Sequence, residues 1–383
     1  MGRASIRNTE ALAGKTVYIG IDVHKENWQT TVRTDGEEIF NGRIPGDYHS
    51  LQKILERFTG CQIKVAYEAG PFGFWLYDKL TEDGIETIVV PPSLIPVESG
   101  NRVKTDKRDS KKLARLLESN MLKKVYVLTE EERIHRELIR TRRQLVEHRG
   151  SVARQIKSKL LFHGISSPFP SKYGWGRPYI QWLMDLPCPS QYLRQSLDIL
   201  IHLYEYLTEQ IRGITKSVVK LSCTDKYAHR IKLLRSIPGV GILTGMEMLV
   251  ELQDFSRFKT SEQIASYMGL TPSEYSTGQY VHQGRITRCG NTRVRSALVE
   301  SSWILVGRDP LMRAKYLKLK NVKGAKRAIV AIARKLIIRI RAMLLHNAPY
   351  MTGGSVVQAA YGIHRMSGMV ILFLLELTVI QHV

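Results

Sequence analysis

The sequence predicts an α/β unit at the N-terminal end, followed by a mostly helical remainder. Three observations carry this. Short apolar runs bounded by turn residues recur over residues 16–125, as central strands require. Longer stretches with helical spacing of apolar residues replace them from about residue 131. The chain of 383 residues has room for two or three domains, and an apolar content of 43% lets most of them bury a core.

The α/β unit reads as follows. Val17-Tyr18-Ile19-Gly20-Ile21-Asp22-Val23 is a first strand, and residues 28–32 and 37–39 flank Asp35-Gly36, a pair suited to a tight hairpin. Helical spacing covers 51–58, and a strand over 63–67 ends at Glu68. A helix over 74–80 stops at Asp83-Gly84, and a strand over 87–90 is closed by Pro91-Pro92. The basic stretch 102–115 becomes helical in its second half.

Residues 126–228 form a helical region. Leu138, Leu145 and Val152 lie seven apart in a basic helix over 131–161, and a loop rich in Pro, Ser, Gly and aromatics spans 164–189. Leu197, Leu200, Tyr204, Leu207, Ile211, Ile214, Val218 and Leu221 then alternate steps of three and four. This heptad seam closes either a helical hairpin within the chain or a coiled coil between subunits. Residues 229–345 are a third, mostly helical region, and 346–383 carry no assignment. The apolar run 369–380 contains Glu376 and is too short to span a bilayer, so no membrane partner is expected.

Charge narrows the function classes. Fifty-seven Lys and Arg against 35 Asp and Glu give a formal charge of +22, which favours polyanions, nucleic acid first among them. The N-terminal residues lack a secretory apolar core, and four scattered cysteines (Cys61, Cys188, Cys223, Cys289) form no zinc or disulfide framework; both point to a reducing cytoplasm.

Two groups of residues carry chemistry. The first is Asp22, Glu68, Asp106 and Asp109. Asp22 interrupts an apolar strand, where a charge is costly. Glu68 ends another strand. Asp106 and Asp109 share one face of a first helical turn if Thr105 caps that helix. Carboxylates converging from separate elements suit a hard divalent cation and phosphoryl transfer. The basic neighbours of Asp106 and Asp109 also allow a solvated, self-neutralising helix start.

The second group lies downstream. Ile237-Pro238-Gly239-Val240-Gly241 resembles the turn of a helix-hairpin-helix, in which backbone N–H groups around Gly239 and Gly241 meet a DNA phosphate; a plain helix connection is the alternative. Ser276-Thr277-Gly278 precedes a basic run with Arg285, Arg288, Arg293 and Arg295, whose guanidinium forks match phosphate oxygens. Hydroxyls in such a setting cap turns more often than they attack.

Taken together, Tyr18-Ile19-Gly20-Ile21-Asp22-Val23-His24-Lys25, Tyr67-Glu68-Ala69-Gly70, Lys104-Thr105-Asp106-Lys107-Arg108-Asp109, Ile237-Pro238-Gly239-Val240-Gly241, and Gly269-Leu270-Thr271-Pro272 through Tyr275-Ser276-Thr277-Gly278 resemble the motifs of the insertion-sequence one-ten family of transposases, in order, over residues 16–343. The resemblance implies a ribonuclease-H-like, RuvC-type domain over 16–125. Its Asp-Glu-Asp-Asp quartet would be Asp22, Glu68, Asp106 and Asp109, holding Mg²⁺. It implies a coiled-coil linker over 126–228 joining subunits in a dimer or tetramer. It also implies a transposase domain over 229–345 with a nucleophilic serine, the two domains forming a composite site. In this family a bridge RNA pairs with donor and target DNA. Ser276 is the expected nucleophile, with Thr277 the runner-up, its methyl crowding an in-line approach. The expected location is the prokaryotic cytoplasm, at the nucleoid. A metal-dependent nuclease using water, or an inactive nucleic-acid-binding copy, are the rival functions.

Overall fold

The computed structural model describes residues 12–96, 105–170, 174–275, 277, 280 and 283–352. Lys104, Ser276, Gly278 and the apolar run 369–380 lie outside the described residues. The chain divides into two compact units, with the boundary between Thr129 and Glu130.

The first unit is built on five strands: β1 (Thr16–Val23), β2 (Asn27–Thr34), β3 (Glu37–Pro45), β4 (Gln62–Glu68) and β5 (Glu86–Val90). Their order is β3-β2-β1-β4-β5. β1, β4 and β5 run parallel, while β2 and β3 add as an antiparallel meander. The β2–β3 turn has Asp35 and Gly36 both at positive φ (50° and 80°), the backbone that the Asp-Gly pair favours in a two-residue hairpin.

Side-chain alternation sorts this sheet into two faces. Ile19, Ile21, Val65, Tyr67 and Val89 form one core with α1 (Tyr48–Leu55) and α2 (Trp75–Glu82). Tyr18, Ala66 and Val90 point the other way, against Leu113, Leu116 and Leu117 of α3 (Asp106–Glu118). Gly20 lets α3 approach that closely. A Cβ on Gly20 would lie 2.3 Å from the Ser110 carbonyl oxygen and 2.4 Å from the Ala114 nitrogen. At its far end α3 is fixed by Glu118, which accepts from Arg33 Nε at 2.8 Å and from the Gly36 amide at 2.7 Å.

The second unit is mostly helical: α4 (Glu130–Phe162), α5 (Arg177–Asp185), α6 (Gln191–Ser222), α7 (Ala228–Arg235), α8 (Ile242–Leu252), α9 (Ser261–Tyr267), α10 (Thr292–Arg308), α11 (Pro310–Lys323) and α12 (Ala325–Leu345). The heptad seam of α6 packs on α4 within the chain. Leu197, Ile201, Tyr204 and Leu207 share a core with Val152, Ile156 and Leu160, and Arg142 Nε donates to Thr215 Oγ1 at 2.8 Å. Early α4 thus meets late α6, an antiparallel pair of about 48 Å.

Two features depart from the sequence reading. The loop expected over 164–189 contains α5, whose Tyr179, Ile180 and Leu183 are buried at helical spacing, and Trp175 just before it stacks on Tyr204 with centroids 4.6 Å apart. The helical third region is interrupted by a two-stranded hairpin, β6 (Pro272–Glu274) with β7 (Gln283–Ile286). Strands this short leave no readable alternation. Among the described residues, no helix is long and apolar enough to cross a membrane.

Candidate active site

Sheet register gathers the acidic groups. β1 pairs β4 in parallel up to Ile21 with Tyr67, so Asp22 and Glu68 follow side by side. Both fall on the α3 face, in phase with Gly20 and Ala66. The close seat that Gly20 gives α3 brings the first turn of that helix alongside. Thr105 caps it by accepting from the Arg108 amide at 3.4 Å, which starts the helix at Asp106 and sets Asp109 one turn on.

The ligand atoms of Asp22, His24 and Asp106 all lie within 4.8 Å of one another. Asp22 Oδ2 is 3.2 Å from His24 Nε2, and that nitrogen is 3.7 Å from Asp106 Oδ1. Arg43 Nη2 reaches Asp106 Oδ2 at 3.2 Å. Burial pushes the Asp22 carboxyl above the ordinary carboxylate range; His24 pulls it back, and the charges of Asp106 and Asp109 raise it further. Of the four carboxylates expected to act together, Asp22 and Asp106 belong to the tight cluster and Asp109 lies near enough to repel Asp22. Glu68 occupies the adjacent strand end but is not among the clustered ligand atoms.

His24 and Arg43 were not singled out from the sequence. His24 had a usable signal, its i,i+2 position on the strand face of Asp22. Arg43 had none, because its place depends on two cross-strand registers, Asp22 with Gln29 and Gln29 with Arg43. The donor set fits a hard divalent cation. Carboxylate oxygens come from two elements, an imidazole stands between them, and a cation would relieve the repulsion among the carboxylates.

The second group occupies the second unit. Thr277 is exposed and closes a tight turn with Tyr280, each amide donating to the other's carbonyl at 3.2 and 3.1 Å. This turn tops the β6–β7 hairpin, whose base is closely built. Gly269 (φ 63°) and Gly290 (φ 105°) cross so tightly that a Cβ on Gly269 would sit 2.1 Å from the Cys289 carbonyl oxygen, and one on Gly290 2.0 Å from that of Tyr267. Arg295 Nη1 donates to the Met268 carbonyl at 2.9 Å, tying down the same crossing. Arg285 and Arg288 are exposed, and Arg293 and Arg295 are half-buried.

Behind the hairpin lies a residue the sequence did not flag. Glu251, with its side chain 2% exposed, accepts two bonds from Arg140 (2.7 and 2.8 Å) and one from Asn291 Nδ2 (2.8 Å). Asn291 in turn caps α10 through the amides of Arg293 and Val294. A glutamate late in an apolar helix was the available signal. In the Pro-Gly-x-Gly turn, Gly239 (φ 93°) packs on α10, with its carbonyl accepting from Ser301 Oγ at 3.0 Å. Gly241 begins α8 without a side-chain cap, and no atom lies within 4 Å of where its Cβ would be.

Comparison with known proteins gives this geometry a lineage. A transposase model of the IS110 DEDD type matches residues 19–164, which include the acidic cluster. The model for the transposase IS116/IS110/IS902 family matches residues 231–317, which include the Pro-Gly turn and the hairpin. The protein y4qE of Sinorhizobium fredii (strain NBRC 101917 / NGR234), named as a transposase, is 31% identical over 82% of this chain and 78% of its own length. The transposase for insertion sequence element IS1533 of Leptospira borgpetersenii is 26% identical over 85% of this chain and 95% of its own. The pilin gene-inverting protein of Moraxella bovis is 34% identical over 39% of this chain and 50% of its own. The chain belongs to the IS110 family of transposases.

Proposed function

We propose that this transposase exchanges DNA strands through a covalent protein–DNA intermediate, with Mg²⁺ at the acidic cluster and a bridge RNA guiding donor and target. The observation that carries the reading is the convergence of Asp22, His24 and Asp106 from β1 and the first turn of α3, with Asp109 beside them. A strand-end aspartate facing a carboxylate-bearing helix on a mixed sheet is what a RuvC-type, ribonuclease-H-like domain would present. The likeness to a pilin gene-inverting protein supports DNA rearrangement as the outcome.

The residues divide the work. Asp22, Asp106, Asp109 and Glu68 hold the cation, and His24 and Arg43 orient the cluster. When bound, the cation would supply Lewis-acid polarisation of a phosphate and stabilisation of the departing oxygen. Ser276, or Thr277 in its place, attacks phosphorus; an ester bond to the hydroxyl oxygen forms as the sugar oxygen leaves, keeping the strand end activated. Arg285, Arg288, Arg293 and Arg295, with the amides around Gly239 and Gly241, hold backbone phosphates. A dimer or tetramer acting at the nucleoid completes the proposal.

Covalent trapping tests it. Protein, element RNA, Mg²⁺ and cognate DNAs are mixed, denatured and resolved, beside Ser276→Ala and Thr277→Ala. An adduct absent from only one variant identifies the nucleophile. DNA cut without any adduct would replace the proposal with hydrolysis by a metal-dependent nuclease.

A further inference from the structure

The acidic cluster rests on a buried polar layer. Cross-strand partners share a face of the sheet, and on the α3 face two rows follow one another: Gly20, Thr31 and Asn41, then Asp22, Gln29 and Arg43. Thr31 and Ser110 are fully buried there, Gln29 is nearly so, and Asn41 is half-buried. Gln29 Nε2 donates to Asn41 Oδ1 at 3.1 Å, and Asn41 Nδ2 donates to Thr31 Oγ1 at 2.6 Å. Thr31 Oγ1 lies 2.9 Å from Ser110 Oγ, which donates to the Lys107 carbonyl at 3.3 Å. A hydroxyl has one hydrogen, and Ser110 gives its own to Lys107. Thr31 is therefore the donor to Ser110, and every hydrogen bond in the chain runs one way, from the sheet into the first turn of α3.

Both ends of this chain adjoin the cluster. Gln29 pairs with Asp22 across β1 and β2, and Lys107 lies between Asp106 and Asp109 in sequence. Apolar packing does not anchor this turn: Leu113 is the first apolar residue of α3, and over residues 106–110 Ser110 alone is buried. The charges of Asp106 and Asp109 meanwhile act against that of Asp22, which pushes the turn away from the sheet. Arg43 also reaches Asp106, but both side chains are exposed, where water and salt screen the pair. A satisfied buried chain adds little net stability over an apolar layer of the same shape, yet it fixes one rotation of the helix on the sheet.

We infer that Gln29, Asn41, Thr31 and Ser110 are positioning residues, whose hydrogen-bonded chain holds the first turn of α3, and with it Asp106 and Asp109, against Asp22 before any cation arrives. The inference rests on the reading of those carboxylates as a cation site. The four side chains touch neither cation nor DNA and act only through the helix they hold. Carboxylates held in place lose less conformational freedom when an ion binds. Breaking the chain therefore lowers affinity for the ion more than it lowers stability.

The test measures Mn²⁺ binding to the full chain without DNA, from the EPR signal of the free ion, beside thermal melts of the metal-free protein. Thr31→Val and Ser110→Ala should each weaken Mn²⁺ binding roughly tenfold. Their combination should weaken it no more than the stronger single change, since one chain is broken either way. Thr31→Ser keeps the hydroxyl and should bind as wild type does. The double variant removes both facing hydroxyls together and should melt close to wild type. Asp22→Asn tells the two ideas apart. If it binds Mn²⁺ as wild type does, the cation site itself is refuted and the inference goes with it. If it loses binding while Thr31→Val and Ser110→Ala keep theirs, the positioning chain alone is refuted. Thr31→Ser binding no better than Thr31→Val, or a melting temperature that falls in step with affinity, would reduce the chain to ordinary packing and overturn the inference.

Discussion

At the scale of single residues, the role proposed for Asp22 sets function against stability. Its carboxyl is pushed above its ordinary value by burial first and by Asp106 and Asp109 after the His24 contribution. A group whose folded pKa exceeds its unfolded one adds no penalty at acid pH; the penalty develops as pH rises through the raised folded value. Asp22→Asn should therefore melt at the same temperature as wild type near pH 4 and at the same or a higher temperature at pH 7. Strand transfer should fall roughly a thousandfold in the same variant, in line with the several kcal/mol a Lewis-acid ion contributes. Thermal scans at the two pH values and a transfer assay check both halves. Retained transfer would remove Asp22 from the proposed cation site. Asp22 was legible in the sequence because a charge inside Val17–Val23 has few benign explanations. His24 gained meaning only when a helix from distant sequence brought Asp106 to its ring.

At the scale of elements, the placement of α3 decides whether an acidic cluster exists. Gly20 gives the helix its seat, Thr105 starts it, and Glu118 ties its end to Arg33 and Gly36. Gly20→Val should destabilise the chain by about 1–3 kcal/mol through overpacking against α3. It should also reduce strand transfer, because Asp106 and Asp109 move with the helix. Urea unfolding beside the transfer assay measures this, and an unchanged midpoint would show that α3 can shift without cost. The strands and long helices of this chain were readable because their periodicity extends over many residues. The hairpin β6–β7 was not, since its strands span three and four residues and its form depends on the crossing of Gly269 with Gly290. The α6 seam was readable as a seam, but its partner was not: the same spacing serves a neighbouring helix or a second subunit, and within the chain α4 packs on it.

At the scale of the whole molecule, long-range polar ties organise the second unit around the hydroxyl hairpin. Glu251 joins α4 through Arg140 to the capped start of α10 through Asn291. Removing one partner leaves a buried charge short of its counter-ion. Arg140→Met should cost about 3 kcal/mol and loosen the basic run that follows the hairpin. A calorimetric melt would show the loss, and a change within about 0.5 kcal/mol would mean that Asn291, with Arg293 Nη1 4.0 Å from Glu251 Oε1, suffices for Glu251. The net charge of +22 acts at this scale too, making nucleic-acid binding steeply dependent on salt.

The sequence by itself determined the alternation of strands and helices, the sign of the charge, the carboxylates and the hydroxyl pair. Each of these is written in local spacing or composition, which survives without knowledge of the fold. The tertiary structure alone decided that His24 and Arg43 join Asp22 and Asp106, and that Glu251 anchors the start of α10. These contacts join residues far apart in the chain. Their geometry follows from strand register and helix packing, which no local pattern encodes.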